Sequence, residues 1–124
     1  MGGKVVDASV VAAVVFGEPR ASEAAELLRG ADLYAPSLLA YELTSVARKK
    51  AERHPERSES IARSLELALA LDIHWLAVDH VATLRLALTE TVTTYDASYL
   101  FLSRSLGLPL ITFDEQLGAL ASRD

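Results

Sequence analysis

Short apolar runs recur at residues 4 to 7, 32 to 35, 73 to 78 and 109 to 113, and stretches with helical spacing of apolar positions fill every interval between them. Strands alternating with helices in this way predict an α/β domain with a small parallel sheet of four or five strands and helices on both faces. After the first run, Ala8 to Phe16 reads as a short apolar helix. Gly17-Glu18-Pro19 breaks it, and a second helix follows from Arg20 to Arg29, stopped by Gly30. Pro36-Ser37 opens a helix that reaches Arg53. His54-Pro55 ends it, because a residue before proline disfavours the helical region, and Glu56 to Leu71 completes a helical hairpin. Asp79 can cap a helix from His80 to about Thr91, and Thr94 can cap the next, from Tyr95 to Leu106, which Gly107 closes. A last helix runs from after Asp114 to about Ala121.

Four carboxylates interrupt this pattern. Asp7 and Asp114 each end an apolar run, where a buried strand gives way to a helix. Glu42 has Leu38, Leu39 and Val46 at offsets of four, three and four, so at 3.6 residues per turn it shares their face. Asp96 opens the apolar helix through Tyr99, Leu100, Phe101 and Leu102. An inward carboxylate is costly unless it is hydrogen-bonded, paired or bound to metal, and the neighbouring sequence offers no basic partner on those faces. In an open parallel sheet, ligands sit outside the carboxyl ends of the strands, the edge at which all four acids can converge. At about 5 Å and an effective dielectric near 20, each pair of like charges costs roughly 3 kcal/mol, so four together call for a cation or raised pKa values.

Composition narrows the chemistry. At 124 residues the chain is one domain, 1–124, and with 51% apolar but only 6% aromatic residues its interior must be mostly Ala, Leu and Val. The absence of cysteine removes disulfides, thiolate zinc sites and a cysteine nucleophile. His54, His74 and His80 lack ligand spacing, so a metal here is oxygen-ligated and hard, Mg²⁺ or Mn²⁺. No apolar run approaches the length of a membrane span and no secretory signal is visible, so a cytoplasmic location is the default. A net charge of −5 argues against a broadly basic nucleic-acid surface, yet Arg48, Lys49, Lys50, Arg53, Arg57 and Arg63 hold half of the twelve basic residues. That stretch reads either as a solvated hairpin of mixed charge, since Glu52, Glu56 and Glu59 lie within it, or as a phosphate-contacting rim formed chiefly by Arg48, Lys49, Lys50 and Arg53.

The strings Val5-Val6-Asp7-Ala8-Ser9-Val10-Val11, Pro36-Ser37 to Glu42, Tyr95-Asp96-Ala97-Ser98-Tyr99-Leu100 and Ile111-Thr112-Phe113-Asp114 resemble, in order and spacing, the PIN-domain ribonucleases, most closely the VapC-type toxins of toxin–antitoxin pairs. Each string is weak alone, but the ordered set is fairly specific and spans essentially the whole chain. The resemblance implies a three-layer PIN-like fold and a Mg²⁺- or Mn²⁺-dependent endoribonuclease whose acidic quartet is Asp7, Glu42, Asp96 and Asp114. Thr112 matches the hydroxyl two residues before the last acid, and Ser9 a small polar position after the first. It further implies a homodimer, an RNA substrate, and a cognate antitoxin whose C-terminal segment lies across the site. Glu115 departs from the pattern as an extra acid, either a water-mediated fifth ligand or a structural residue.

Plainer readings stand beside these. Capping accounts for Asp7, Asp96 and Asp114 taken singly as well as metal binding does, and Thr112 with Glu115 fits a capping box that would make Asp114 incidental. Capping cannot explain Glu42, for which the alternative is a buried pair with an Arg or Lys. Trp75, Tyr41, Tyr95 and Tyr99 read as core or subunit-contact residues in preference to base-stacking platforms. A phosphoacceptor receiver domain shares the architecture but needs an acidic pair after the first strand and a lysine after the last. Here Asp7 is single and the lysines are Lys4, Lys49 and Lys50. A non-catalytic partner-binding module of the same fold survives as the second reading.

Overall fold

The structure, a computed structural model, describes residues 2–123. Its elements are β1 (Gly3–Val6), α1 (Ala8–Val15), α2 (Ala21–Leu28), β2 (Asp32–Pro36), α3 (Leu38–Arg53), a 3-10 turn (Pro55–Arg57), α4 (Ser58–Leu69), β3 (Ile73–Leu76), α5 (His80–Glu90), α6 (Thr94–Leu106), β4 (Leu110–Ile111) and α7 (Glu115–Ala121). All strand pairs are parallel, in the order β3-β2-β1-β4, which makes four strands among the described residues. Helices α1 to α4 pack among themselves, as do α5 to α7, and α6 lies against β1, β2 and β4.

Burial follows the apolar pattern. Val5 and Val6 in the central strand are fully buried, as a parallel strand covered on both faces must be. Ala35, Leu39, Leu43, Leu100, Leu102 and Leu117 join them in an interior with Tyr99 as its one fully buried aromatic among the described residues. The small side chains Val10, Ala13 and Ala24 let α1 and α2 approach closely, forming a lesser cluster beside Ile111 and Phe113.

Two local expectations change. The last strand is only two residues long instead of five, because side chains take over the backbone beyond Ile111: the Phe113 amide donates to Ser9 Oγ and the Asp114 amide to Thr112 Oγ1. Helix α6 begins one residue early. Its cap is Thr93 rather than Thr94, with Thr93 Oγ1 accepting from the Asp96 amide. Gly107 closes that helix as expected, with φ of 66°, a conformation that glycine adopts without steric cost.

The strand order places the site. From β1 the chain moves outward to β2 and then β3, and the next crossover returns past β1 to β4 on its other side. Asp7 therefore follows the strand at which the winding direction reverses, the place where an open α/β sheet leaves a crevice.

Candidate metal centre

Asp7 is 7% exposed and doubly committed. Its Oδ1 caps α1, accepting from the amides of Ser9 (3.1 Å) and Val10 (3.4 Å) and from Ser9 Oγ (2.6 Å). Its Oδ2 accepts from Thr112 Oγ1 across 105 residues of sequence. The capping reading of Asp7 is thus correct and incomplete. One oxygen satisfies the helix, and the other keeps a lone pair directed elsewhere. Burial nonetheless raises its pKa above the ordinary aspartate value, against the lowering by hydrogen bonds from Ser9, Thr112 and the Val10 and Ser9 amides.

Glu42 stands on the shoulder of α3. The stripe Leu39, Leu43 and Ala47 is buried, and Glu42 lies next to it, half-buried. The cationic partner that its position invited is absent among the described residues. Instead the Tyr99 hydroxyl donates to Glu42 Oε1 at 2.5 Å. Tyr99, 2% exposed, is a core residue as expected, but its hydroxyl is also the anchor of this acid, and its own pKa is driven sharply upward by burial and by the Glu42 carboxylate. Sequence reading missed that second role. The only signal was that a phenol buried in an Ala/Leu/Val core needs a partner for its proton.

Asp96, in the first turn of α6, is half-buried, and among the described residues its carboxylate accepts no hydrogen bond. Asp114 is exposed and caps α7 through its Oδ1, which accepts from the Leu117 amide at 2.8 Å. The Thr112 and Glu115 capping box therefore does not form. Thr112 instead bridges two of the acids, donating to Asp7 and accepting from the Asp114 amide.

Charge ties the four together. Burial raises the pKa of Glu42, followed by opposition from the Tyr99 hydrogen bond and further raising by the charges of Asp7 and Asp96. Burial raises Asp96 too, helped by the charges of Asp114 and Asp7. None of the four acids is in an ion pair among the described residues. Nor do any three His, Asp or Glu side chains there close into a ready-made cation cage. The donor set suits a hard dication: every side chain offers oxygen, Asp7 is buried without a counter-charge and held through both of its oxygens, and Glu42 and Asp114 each have one oxygen anchored to the protein and the other unengaged.

The remaining candidates divide. Ser9 and Thr112 belong to the site through Asp7. Glu115 lines a recess with Arg20 and makes no ion pair among the described residues; the Arg20 guanidinium is raised first by its hydrogen bond to Glu23 and also by the charges of Glu23 and Glu115. Arg20, unremarked in the sequence, stacks over the Phe113 ring at 3.7 Å and lines a recess with Thr112 and Asp114. In the basic hairpin, Arg48 is paired with Glu52 and Lys50 with Glu18 at 2.8 Å, while Lys49 and Arg53 have no ion pair among the described residues. Tyr41 and Tyr95 are 75% and 61% exposed, so neither is a core residue.

The profile of the PIN domain matches residues 4–122. Ribonuclease VapC3 of Pyrobaculum aerophilum is 36% identical over 118 residues, covering 91% of this chain and 90% of its own. The crystal structure of PAE2754 from Pyrobaculum aerophilum superposes with a TM-score of 0.79 at 27% identity, over 97% of this chain and 80% of that one. That of VapC20 from Mycobacterium tuberculosis, a sarcin–ricin loop cleaving toxin, shares the fold with a TM-score of 0.69 at 16% identity, over 94% of each chain.

Proposed function

Because the chain belongs to the PIN-domain family and to its VapC-type ribonucleases, we propose that Asp7, Glu42, Asp96 and Asp114 together hold Mg²⁺ or Mn²⁺ and that the protein hydrolyses RNA phosphodiesters as the toxin of a type II toxin–antitoxin pair. The observation that supports this reading is that the four acids lie within reach of one another's charge while none of them is in an ion pair among the described residues. A bound dication supplies polarisation of a phosphoryl oxygen and a lowered pKa for water.

The protein's own contribution is orientation. Ser9, Thr112 and the first amides of α1 hold Asp7 in one rotamer, Tyr99 holds Glu42, and the α7 amide holds Asp114, so three donors are positioned before any ligand arrives. Asp96, tied by no hydrogen bond, is the acid with most freedom to adjust. Lys49 and Arg53, which have no ion pair among the described residues, would hold the RNA backbone. Ser9 and Thr112 act around the acids by fixing Asp7, and Glu115 adds negative charge beside Asp114.

A homodimer and a cognate antitoxin belong to the same reading, acting in the cytoplasm. Support for the dimer comes from α5, where Val81, Leu84 and Leu88 form an exposed apolar stripe at helical spacing. No helix among the described residues is long and apolar enough to cross a membrane.

The decisive measurement is cleavage of a mixed RNA pool in Mn²⁺ by the parent and by Asp96→Asn, whose fold is checked by circular dichroism. Cleavage is lost in the variant. Equal rates would refute the assignment of the site.

A further inference from the structure

Beside the acids lies a cavity of about 390 Å³ that none of the chemistry above uses. Its floor is the carboxyl end of β2 and β3, with Pro36, Leu76 and Val78. Its walls come from α3, α5 and α6, with Ser37, His80 and Tyr95 at hand. The volume is within the roughly 300–1,000 Å³ of small-molecule sites, and the mixture of an apolar bed with a few polar groups is what such sites have.

Position gives the cavity its meaning. It shares α3 with Glu42, one turn beyond Leu38, and α6 with Asp96, which follows Tyr95 directly. In the order β3-β2-β1-β4, it lies over β2 and β3, Asp7 follows β1, and the recess of Arg20 lies beyond β4. Adjacent strands are about 4.8 Å apart, so cavity and Asp7 are separated by roughly 5–10 Å, within reach of a single nucleotide.

The lining suits a nucleobase. Tyr95 presents an exposed ring at the rim, and aromatic faces stack on any unpaired base. Thr83 and Ser98, which also line the cavity, donate their hydroxyl protons to the carbonyls of Asp79 and Thr94, so toward a ligand they can act only as acceptors. Ser37 makes no side-chain cap bond to α3, so its hydroxyl is available to either partner.

We propose that this cavity receives one unpaired base of the RNA, next to the phosphate held at the acids, with Tyr95 as the stacking face and Ser37 and His80 as polar contacts that select the base. The proposal rests on the nuclease reading above, and it makes substrate choice a property of single-stranded RNA.

The test uses a single-stranded oligoribonucleotide containing a mapped cleavage site, and a series in which each nucleotide around that site is made abasic. Binding is followed by fluorescence anisotropy with Ca²⁺ in place of Mn²⁺, with parent, Tyr95→Ala and Tyr95→Phe. One abasic position weakens binding to the parent by about 5- to 150-fold, Tyr95→Ala weakens binding to the intact strand similarly, and that variant is indifferent to the same abasic position. Tyr95→Phe behaves as the parent. If no abasic position matters, or if Tyr95→Ala loses as much affinity on the abasic strand as on the intact one, the proposal fails and the cavity returns to protein partners. Should Tyr95→Ala be indifferent while Asp96→Asn is inactive, only the base pocket is overturned. If Asp96→Asn cleaves like the parent, the metal-site reading falls and the proposal falls with it.

Discussion

Replacing Tyr99 by Phe removes one oxygen atom from a residue 2% exposed and leaves the ring that packs the core. No cavity term arises beyond that atom, so the effect reports the hydrogen bond to Glu42 Oε1. A hydrogen bond to a charged group contributes about 1.5–3 kcal/mol, and at a few degrees per kcal/mol for a domain of this size the metal-free melting temperature should fall by roughly 5–15 °C at pH 7.5. The loss depends on pH in a defined direction. The phenol lowers the Glu42 pKa, so without it Glu42 takes up a proton more readily. The difference between parent and variant is therefore full where Glu42 is ionised in both and shrinks as pH falls through its raised range. Glu42 also loses its anchor. Removing a residue that orients a ligand typically weakens metal binding by about 10–100-fold, which calorimetric titration with Mn²⁺ resolves. Unchanged melting and unchanged Mn²⁺ affinity in Tyr99→Phe would mean that the contact neither stabilises the fold nor positions Glu42, and the account of the site would be wrong.

Further outcomes follow from the same geometry. Thr112→Val deletes the donor to Asp7 and the acceptor for the Asp114 amide, so metal affinity should drop by about 10-fold or more with little change in far-ultraviolet dichroism; unaltered Mn²⁺ affinity would dismiss the bridge. Asp7, Glu42 and Asp96 all have raised folded pKa values, so above the unfolded values the native state holds more protons and loses stability as pH rises through the raised range. The melting temperature of the metal-free protein should accordingly fall as pH rises above the ordinary carboxylate range, with a slope that lessens in Asp7→Asn and reverses in saturating Mn²⁺; an equal slope in Asp7→Asn would remove Asp7 from the explanation. Lys49→Gln with Arg53→Gln should flatten the salt dependence of RNA binding by about 0.7 per lost phosphate contact, and an unaltered slope would make the hairpin a solvated face.

The alternation of strand and helix was legible because each element carries its own period and its own stop signals: Gly107 ends α6 and His54-Pro55 ends α3, as local rules require. The four acids were legible for the same reason, since each breaks a local pattern. Short-range competition was harder to read. Thr93 and Thr94 are chemically equivalent caps, and only the backbone path into α6 selects the first. Thr112 looked like a cap for the last helix until Asp7, 105 residues away, claimed its proton.

What this chain determines by itself is periodicity, capping chemistry and the presence of oxygen donors at strand exits, all of which are interactions over a few residues. Tertiary structure decided which groups meet. It gave Glu42 a tyrosine in place of a cation, joined Ser9, Thr112 and Asp7 into one network, set Arg20 over the Phe113 ring, and left Tyr95 exposed beside a cavity. The physical reason is that hydrogen bonds and charges act within a few ångströms of space, while the order of strands in the sheet sets which distant parts of the sequence come within that range.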